Sequence, residues 1–151
     1  MNLDNKYKKL IIFGAGGNAV SVYNVACSAG YKTCYFIDKY KRDKNFLDIP
    51  ILRELEEINN FEDYNFALSF GSNFQRERIF NEINTKYKFL NFPTLIHKTA
   101  VISVGVNIAK GCIIMPNSVV GPKTKVGKFC ILNTNSCLEH DNKMLDFSSI
   151  G

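Results

Sequence analysis

Long apolar runs are missing from this sequence. Near the N-terminus the longest uninterrupted one is Leu10 to Phe13, far short of a signal-peptide core or a membrane-spanning helix. A cytosolic protein is therefore expected. Cysteine pairing signals are missing too. The five cysteines, Cys27, Cys34, Cys112, Cys130 and Cys137, form no CxxC pair and no Cys/His set with metal-ligand spacing. Reduced, mostly buried thiols and no metal are the expectation. There is no low-complexity tract, and apolar residues make up 46% of the 151 residues, enough for real cores in one ordinary domain or two small ones. The formal net charge is +5, but Lys6, Lys8, Lys9, Lys39, Lys41, Arg42 and Lys44 are scattered, and the aromatics sit at core-like spacing away from them. That argues against a nucleic-acid interface and suits a small polyanionic ligand.

What is present divides into two grammars. Residues 1–93 alternate strand and helix signals. Lys9–Phe13 reads as a buried first strand, Ala19–Ala29 as a helix stopping at Gly30, and Thr33–Ile37 as a second strand ending in Asp38. Ile51–Ile58, after Pro50, reads as a short helix. Asn65–Phe70 reads as a third strand, Asn73–Lys86 as a helix capped by Ser72 or Asn73, and Lys88–Phe92 as a fourth strand, with Pro93 at the boundary. Such alternation predicts an α/β unit with a parallel sheet.

Residues 94–151 have a period of six. With Ile96 as position 1, the same position holds Ile102, Ile108, Ile114, Val120, Val126, Leu132, Leu138, Met144 and Ile150, and the phase never slips. Position 5 is nearly always small: Ala100, Val106, Cys112, Ser118, Thr124, Cys130, Ser136, Asn142 and Ser148. A hexapeptide repeat of this kind predicts a parallel β-helix, a β-solenoid following the α/β unit. Three six-residue faces close one triangular coil. The aliphatic residue fills the interior and the small residue lets the chain turn the corner. Residues eighteen apart then stack at the strand spacing of ~4.8 Å, which makes Ile96, Ile114, Leu132 and Ile150 one column. Cys112 and Cys130 share another. A disulfide is sterically open there, though two small buried thiols suit the cytosol better. The count ends two residues into a tenth repeat, leaving a rung uncovered. A fragment of a longer protein, or a partner over that rung, is therefore expected.

Three groups of residues carry candidate chemistry. The loop Gly14-Ala15-Gly16-Gly17-Asn18-Ala19 fits G-x-G-x-x-A between strand and helix, where backbone N–H groups and a helix N-terminus suit phosphate. Asp38, with Lys39 beside it, stands where a ribose or base contact is expected. The same glycines also fit a turn that only packs helix on sheet. A nicotinamide dinucleotide is disfavoured because the β-helix replaces the second half of a dinucleotide fold. Gly71-Ser72-Asn73, followed by Arg76 and Arg78, makes another strand-to-helix turn. It reads equally as a phosphate or sugar contact and as an N-cap on a solvated helix. Leu138-Glu139-His140-Asp141 places His140 at position 3 of its hexad, pointing outward; the only other histidine is His97, at position 2 of the first repeat. A histidine near its ordinary pKa of ~6.5 can take a proton from an attacking amine or hydroxyl, and Glu139 or Asp141 could orient it. Spacing alone favours the plainer reading, a surface histidine between solvated acids.

Together, the GAGGNA loop, the segment LIHKTAVI from Leu95 to Ile102 and the segment ILNTNSCLEHDNKMLDFSSIG from Ile131 to Gly151 resemble bacterial sugar acetyltransferases. These are the UDP-4-amino-sugar N-acetyltransferases of surface glycan biosynthesis and the sialic acid O-acetyltransferases. The resemblance covers essentially the whole chain. It implies a Rossmann-like nucleotide-sugar-binding domain at 1–93, a left-handed hexapeptide-repeat β-helix at 94–151, and a cytoplasmic homotrimer with active sites between neighbouring β-helices. Acetyl-CoA would be the co-substrate and a UDP-linked amino sugar the acceptor. His140 would be the base and Asp141 its neighbouring acid, with no covalent enzyme intermediate. The sugar nucleotide would lie against Gly14, Gly16, Gly17, Asn18, Asp38, Lys39, Gly71 and Asn73. Two departures stand out. Many relatives carry histidine at the position of Asn18, and family members continue for further coils that hold much of the acetyl-CoA site. An O-acetyltransferase on a sialic-acid-like sugar, and a non-catalytic nucleotide-sugar-binding or assembly module, are the alternatives.

Overall fold

The computed structural model describes residues 8–151. Residues 1–7, with which the expected first unit begins and which include Lys6, lie outside the described part. Strand β1, Lys8–Phe13, has Leu10, Ile11 and Ile12 fully buried on both faces, the pattern of a strand in a covered parallel sheet. Helix α1, Gly17–Ser28, buries Ala19, Val22, Val25 and Ala26, a stripe at helical spacing, and ends before Gly30 at φ +81°. Strand β2, Tyr31–Ile37, pairs parallel with β1. Strand β5, Asn65–Leu68, pairs parallel on the other side of β1. Helix α2, Asn73–Lys86, begins with the Ser72 hydroxyl accepting a bond from the Gln75 N–H at 3.3 Å.

Two sequence expectations fail here. Ile51–Ile58 is not a helix. Ile49–Leu52 forms strand β4, antiparallel to a short β3 at Asn45–Phe46 and parallel to β2 through Phe36 and Ile37. Leu47 and Asp48 both take left-handed φ in the tight turn between β3 and β4, the I′ conformation that matches strand twist. The apolar residues Leu52, Leu55 and Ile58 have helical spacing, yet Ile51 and Leu52 gain ladder bonds along β2, and only Leu55–Glu57 coils, as a 3₁₀ turn. The predicted fourth strand, Lys88–Phe92, shrinks to a single bridge between Asn91 and Asn65. Phe89 faces solvent and Phe92 is drawn inward to Phe13 and Phe66. The sheet order is β3-β4-β2-β1-β5.

From Leu95 the chain coils as a parallel β-helix of two-residue strands. One face stacks Leu95–Ile96, Ile113–Ile114, Ile131–Leu132 and Ser149–Ile150. The second stacks Val101–Ile102, Val119–Val120 and Cys137–Leu138. The third stacks Asn107–Ile108, Lys125–Val126 and Lys143–Met144. Position 1 fills the interior with Ile114, Val120, Val126, Leu132 and Met144, and the column Ile96, Ile114, Leu132, Ile150 is in register. Position 4 follows a rule that the hydrophobic count missed. From Gly105 onward, through Gly111, Asn117, Lys123, Phe129, Asn135, Asp141 and Phe147, every position-4 residue has φ between +54° and +74°. Each corner thus takes one left-handed residue.

The thiols divide otherwise than expected. Cys112 and Cys130 are buried and unbridged, Cys34 is half-buried, and Cys27 and Cys137 are exposed. Cys112 bonds to the Gly127 carbonyl at 3.0 Å and Cys130 to that of Leu145 at 2.9 Å. Cys137 lies at position 6, which points outward, so the small-residue rule for position 5 does not cover it.

The two units share their packing. Leu95, Ile113, Met115 and Ile131, on the outside of the first β-helix face, lie in one cluster with Val22, Val25 and Ala26 of α1. At the adjoining corner, Phe129 and Phe147 stack at 5.3 Å and meet Phe80, while Phe129 also meets Phe92. No described helix is long and apolar enough to cross a membrane.

Candidate active site

The sheet order changes direction at β1, because α1 leads to β2 on one side and β5 lies on the other. The turns that follow β1, β2 and β5 therefore meet at one carboxyl edge, where open α/β sheets bind ligands. Gly14, at φ +92°, donates its N–H to the Ile37 carbonyl at 2.8 Å. A Cβ there would stand 2.7 Å from the Ser69 hydroxyl, which itself donates toward the Phe13 and Gly14 carbonyls. Asp38 ties the glycine loop to the end of β2. One carboxylate oxygen accepts from the Ala15 N–H at 3.0 Å, and the other accepts from the N–H groups of Tyr40 and Lys41 at 3.0 and 3.1 Å. Lys39 beside it is exposed. Gly16 and Gly17 differ from Gly14, since a Cβ on either would meet nothing within 4 Å. Asn18 closes the loop toward the third turn. A Cβ on Gly71 would lie 3.9 Å from its side chain, and its amide nitrogen is buried without a hydrogen-bond partner. The structure thus gathers Gly14, Gly16, Gly17, Asn18, Asp38 and Gly71 at one carboxyl edge of the sheet, outside which lies the crevice where such sheets hold a ligand.

Arg76, which the sequence left open between a ligand contact and a solvated helix face, is buried instead. It is 1% exposed and has no acidic partner among the described residues. Its Nε donates to the Phe129 carbonyl at 2.8 Å and Nη2 to the Phe147 carbonyl at 2.8 Å, both at β-helix corners. Nη1 holds the Phe70 and Gly71 carbonyls at 2.9 and 3.1 Å, and Nη2 reaches Asn73 Oδ1 at 2.9 Å. The guanidinium fork is satisfied by carbonyls instead of a carboxylate. Asn73 Oδ1 also accepts from the Ser149 hydroxyl at 2.6 Å. Arg76 is therefore the clasp between the Gly71–Asn73 turn and the last coils. Nothing in its local sequence distinguishes it from Arg78, which is solvated and pairs with Glu82 at 3.7 Å.

His140 lies elsewhere. The N-terminal unit packs on one face of the β-helix and touches the two corners beside it, at Phe129 and at Lys98, whose N–H donates to the Ser28 hydroxyl at 3.0 Å. His140 sits at the corner opposite that face, with Gly105, Lys123 and Asp141. One chain alone does not bring it to the glycine crevice. Its Nδ1 lies 2.9 Å from Asp141 Oδ2, and both side chains are exposed, at 71% and 66%. With Nδ1–H donating to the carboxylate, Nε2 carries the free lone pair outward. Of the two candidate acids, Asp141 orients the ring. Glu139 points instead to the Cys137 thiol at 3.6 Å. Asp141 can do so because it is the left-handed residue of its corner, at φ +55°. The rung is held from below, as the Thr124 hydroxyl donates to the Glu139 carbonyl at 2.8 Å and the Gly121 N–H to that of Leu138 at 2.7 Å. The hydrogen bond and charge of Asp141, helped by the charge of Glu139, push the His140 pKa above its ordinary value. No group of three or more metal-ligating side chains occurs among the described residues.

A Rossmann-like parallel sheet docked on a left-handed parallel β-helix is an acetyltransferase architecture. The particular likeness is narrower: the family model described as the PglD N-terminal domain matches residues 9–83. Among solved structures, a mutant of GDP-perosamine N-acetyl transferase from Caulobacter crescentus, in complex with CoA and GDP-perosamine, is 18% identical with a TM-score of 0.82. The match covers 93% of this chain and 67% of that one. The acetyltransferase domain of PglB from Neisseria gonorrhoeae FA1090 is 25% identical with a TM-score of 0.81, over 94% of this chain and 70% of that one. WeeI from Acinetobacter baumannii AYE is 18% identical with a TM-score of 0.76, over 94% and 68%. In both its parts the chain resembles the bacterial sugar acetyltransferases that join an N-terminal nucleotide-sugar unit to a hexapeptide-repeat β-helix.

Proposed function

We propose that the chain is an acetyl-CoA-dependent acetyltransferase acting on the amine of a nucleotide-activated amino sugar, with UDP as the expected nucleotide. The observation that carries the proposal is the histidine dyad: an outward His140, oriented by Asp141 at 2.9 Å, on a β-helix whose opposite face carries the unit with the glycine loop. The crevice supports a ligand reading because Gly16 and Gly17 face open space, so packing of α1 on the sheet does not require glycine there. Backbone N–H groups at the N-terminus of α1 would hold the diphosphate, with Asn18, Asp38, Lys39, Gly71 and Asn73 around the sugar nucleotide. His140 Nε2 takes the proton from the sugar amine as its nitrogen attacks the thioester carbonyl of acetyl-CoA. The tetrahedral intermediate then collapses, the C–S bond breaks, and coenzyme A leaves as a thiolate that accepts a proton. No covalent enzyme intermediate is needed. Because the crevice and His140 lie on opposite sides of one chain, the base of one copy would serve the crevice of another, which the homotrimer expectation accommodates.

Calorimetric titration with a UDP-amino-sugar, NAD and acetyl-CoA in parallel, repeated in Gly16→Val, tests the crevice, and release of coenzyme A thiol with and without His140→Asn tests the base. Binding of the UDP-sugar that Gly16→Val abolishes, with thiol release that His140→Asn abolishes, is the expected result. Binding of NAD in place of the sugar nucleotide would overturn the reading. Sugar-nucleotide binding with no thiol release would leave a binding module in its place.

A further inference from the structure

We propose that Tyr40 is the platform on which the nucleobase of the bound ligand stacks, an inference that rests on reading the crevice as a nucleotide-sugar site. In a sheet of this kind the phosphates sit at the N-terminus of the first helix and the ribose at the end of the second strand. The base then lies beyond the ribose, on the side of β2 away from β1. The chain offers the turn from Asp38 to Lys41 there. Within that turn the Asp38 carboxylate already accepts three backbone N–H bonds, so most of its hydrogen-bonding capacity goes to holding the loop and little remains for the base. Two of those bonds come from the Tyr40 and Lys41 amides, which fixes the backbone under the tyrosine ring.

The ring itself is 91% exposed. It has no hydrogen bond and no ring contact among the described residues. The next residue shows the contrast: Lys41 lies over the Phe46 ring at 5.6 Å and pairs with Asp43 at 3.6 Å. A rigid turn that ties down Lys41 and leaves the tyrosine two residues past Asp38 exposed and unpartnered offers a flat π surface to an incoming ring. The other exposed aromatics fit less well. Phe89 lies past the C-terminal end of α2, at the opposite edge of the sheet. Phe74, 76% exposed at the first turn of α2, flanks the β5 side, where the sugar would lie. Because every base has a π face, Tyr40 would supply affinity without choosing between bases.

The test is calorimetric titration of the chain with UDP and with GDP, in wild type, Tyr40→Ala, Tyr40→Phe and Phe74→Ala. Loss of one aromatic stack should weaken whichever nucleotide binds by roughly five- to a hundred-fold in Tyr40→Ala. Tyr40→Phe and Phe74→Ala should stay within about two-fold, since the first keeps the π face. Unchanged affinity in Tyr40→Ala would overturn the platform and leave the crevice standing. An equal loss in Phe74→Ala would also overturn it, by showing that the effect is not particular to the Asp38–Lys41 turn. If wild type binds neither nucleotide, the crevice reading falls and the platform with it.

Discussion

At the scale of the residue, His140 and Arg76 show how much one neighbour decides. His140 was legible in the sequence as an outward histidine between two acids, but spacing could not say which acid mattered. The answer depended on a backbone angle: Asp141 is the left-handed corner residue and reaches Nδ1, whereas Glu139 turns to Cys137. Arg76 was legible only as a cation near the Gly71–Asn73 turn, and its burial depends on coils fifty and more residues later. The Asp141 contact has a pH consequence. The hydrogen bond and charge of Asp141 raise the His140 pKa above its ordinary value. The ring should therefore hold its proton to a higher pH than the ~6.5 of a free histidine, and its basic form should grow in only above that raised midpoint. Two-dimensional NMR titration of the ring signals should give a midpoint above the ordinary value, falling in Asp141→Asn and less in Glu139→Gln. The acid limb of the pH–rate profile should move the same way. A midpoint indifferent to Asp141→Asn would remove Asp141 from the proposed dyad.

At the scale of the element, the β-helix was the most legible part of the chain and the first unit the less so. The hexad phase survives into the structure without a slip because each interior column depends on local period alone. The region from Asn45 to Ile58 failed because helical spacing in Leu52, Leu55 and Ile58 competes with edge pairing along β2, and pairing partners are not written in local sequence. Two glycines show what the hexad count left out. Gly105 is a corner residue at φ +73°, and a Cβ there would meet only ordinary contacts, the nearest being Lys123 Cγ at 3.6 Å. Lys123 and Phe129 hold the same angle elsewhere in the coil, so Gly105→Ala should cost only about 1 kcal/mol. Gly121 has an ordinary φ, but a Cβ would stand 2.6 Å from the His140 nitrogen and 2.7 Å from the Glu139 carbonyl carbon, both backbone atoms. They cannot yield unless the rungs part, so Gly121→Ala should cost about 2–3 kcal/mol or more and displace the rung that carries His140. Urea unfolding of the two variants should separate them in that order. Equal losses would mean that corner strain, and not rung contact, sets the tolerance of the coil.

At the scale of the whole molecule, the arrangement that matters is a separation. Arg76 and the cluster of Phe80, Phe92, Phe129 and Phe147 hold the N-terminal unit against one face and one corner of the β-helix. A guanidinium buried among carbonyls is costly to displace, since each orphaned buried acceptor costs about 1–3 kcal/mol. The unit therefore does not swing round to bring its crevice to His140 at the opposite corner. The proposed chemistry therefore needs a second copy to complete its site, and a complementation experiment tests this. Gly16→Val disables the crevice and keeps the base; His140→Asn disables the base and keeps the crevice. Each should be inactive alone. Co-expressed with different affinity tags and purified through both, they should recover activity, because a copy with an intact crevice can meet a copy with an intact His140. In a trimeric ring that holds both variants, one of the three sites pairs an intact crevice with an intact neighbouring base, so recovery after purification through both tags should be about a third of wild type. Thiol release from acetyl-CoA in the presence of the sugar nucleotide is the readout. No recovery in an assembly shown to contain both variants would mean that crevice and base act within one chain. The clasp built on Arg76 would then have to open during the reaction.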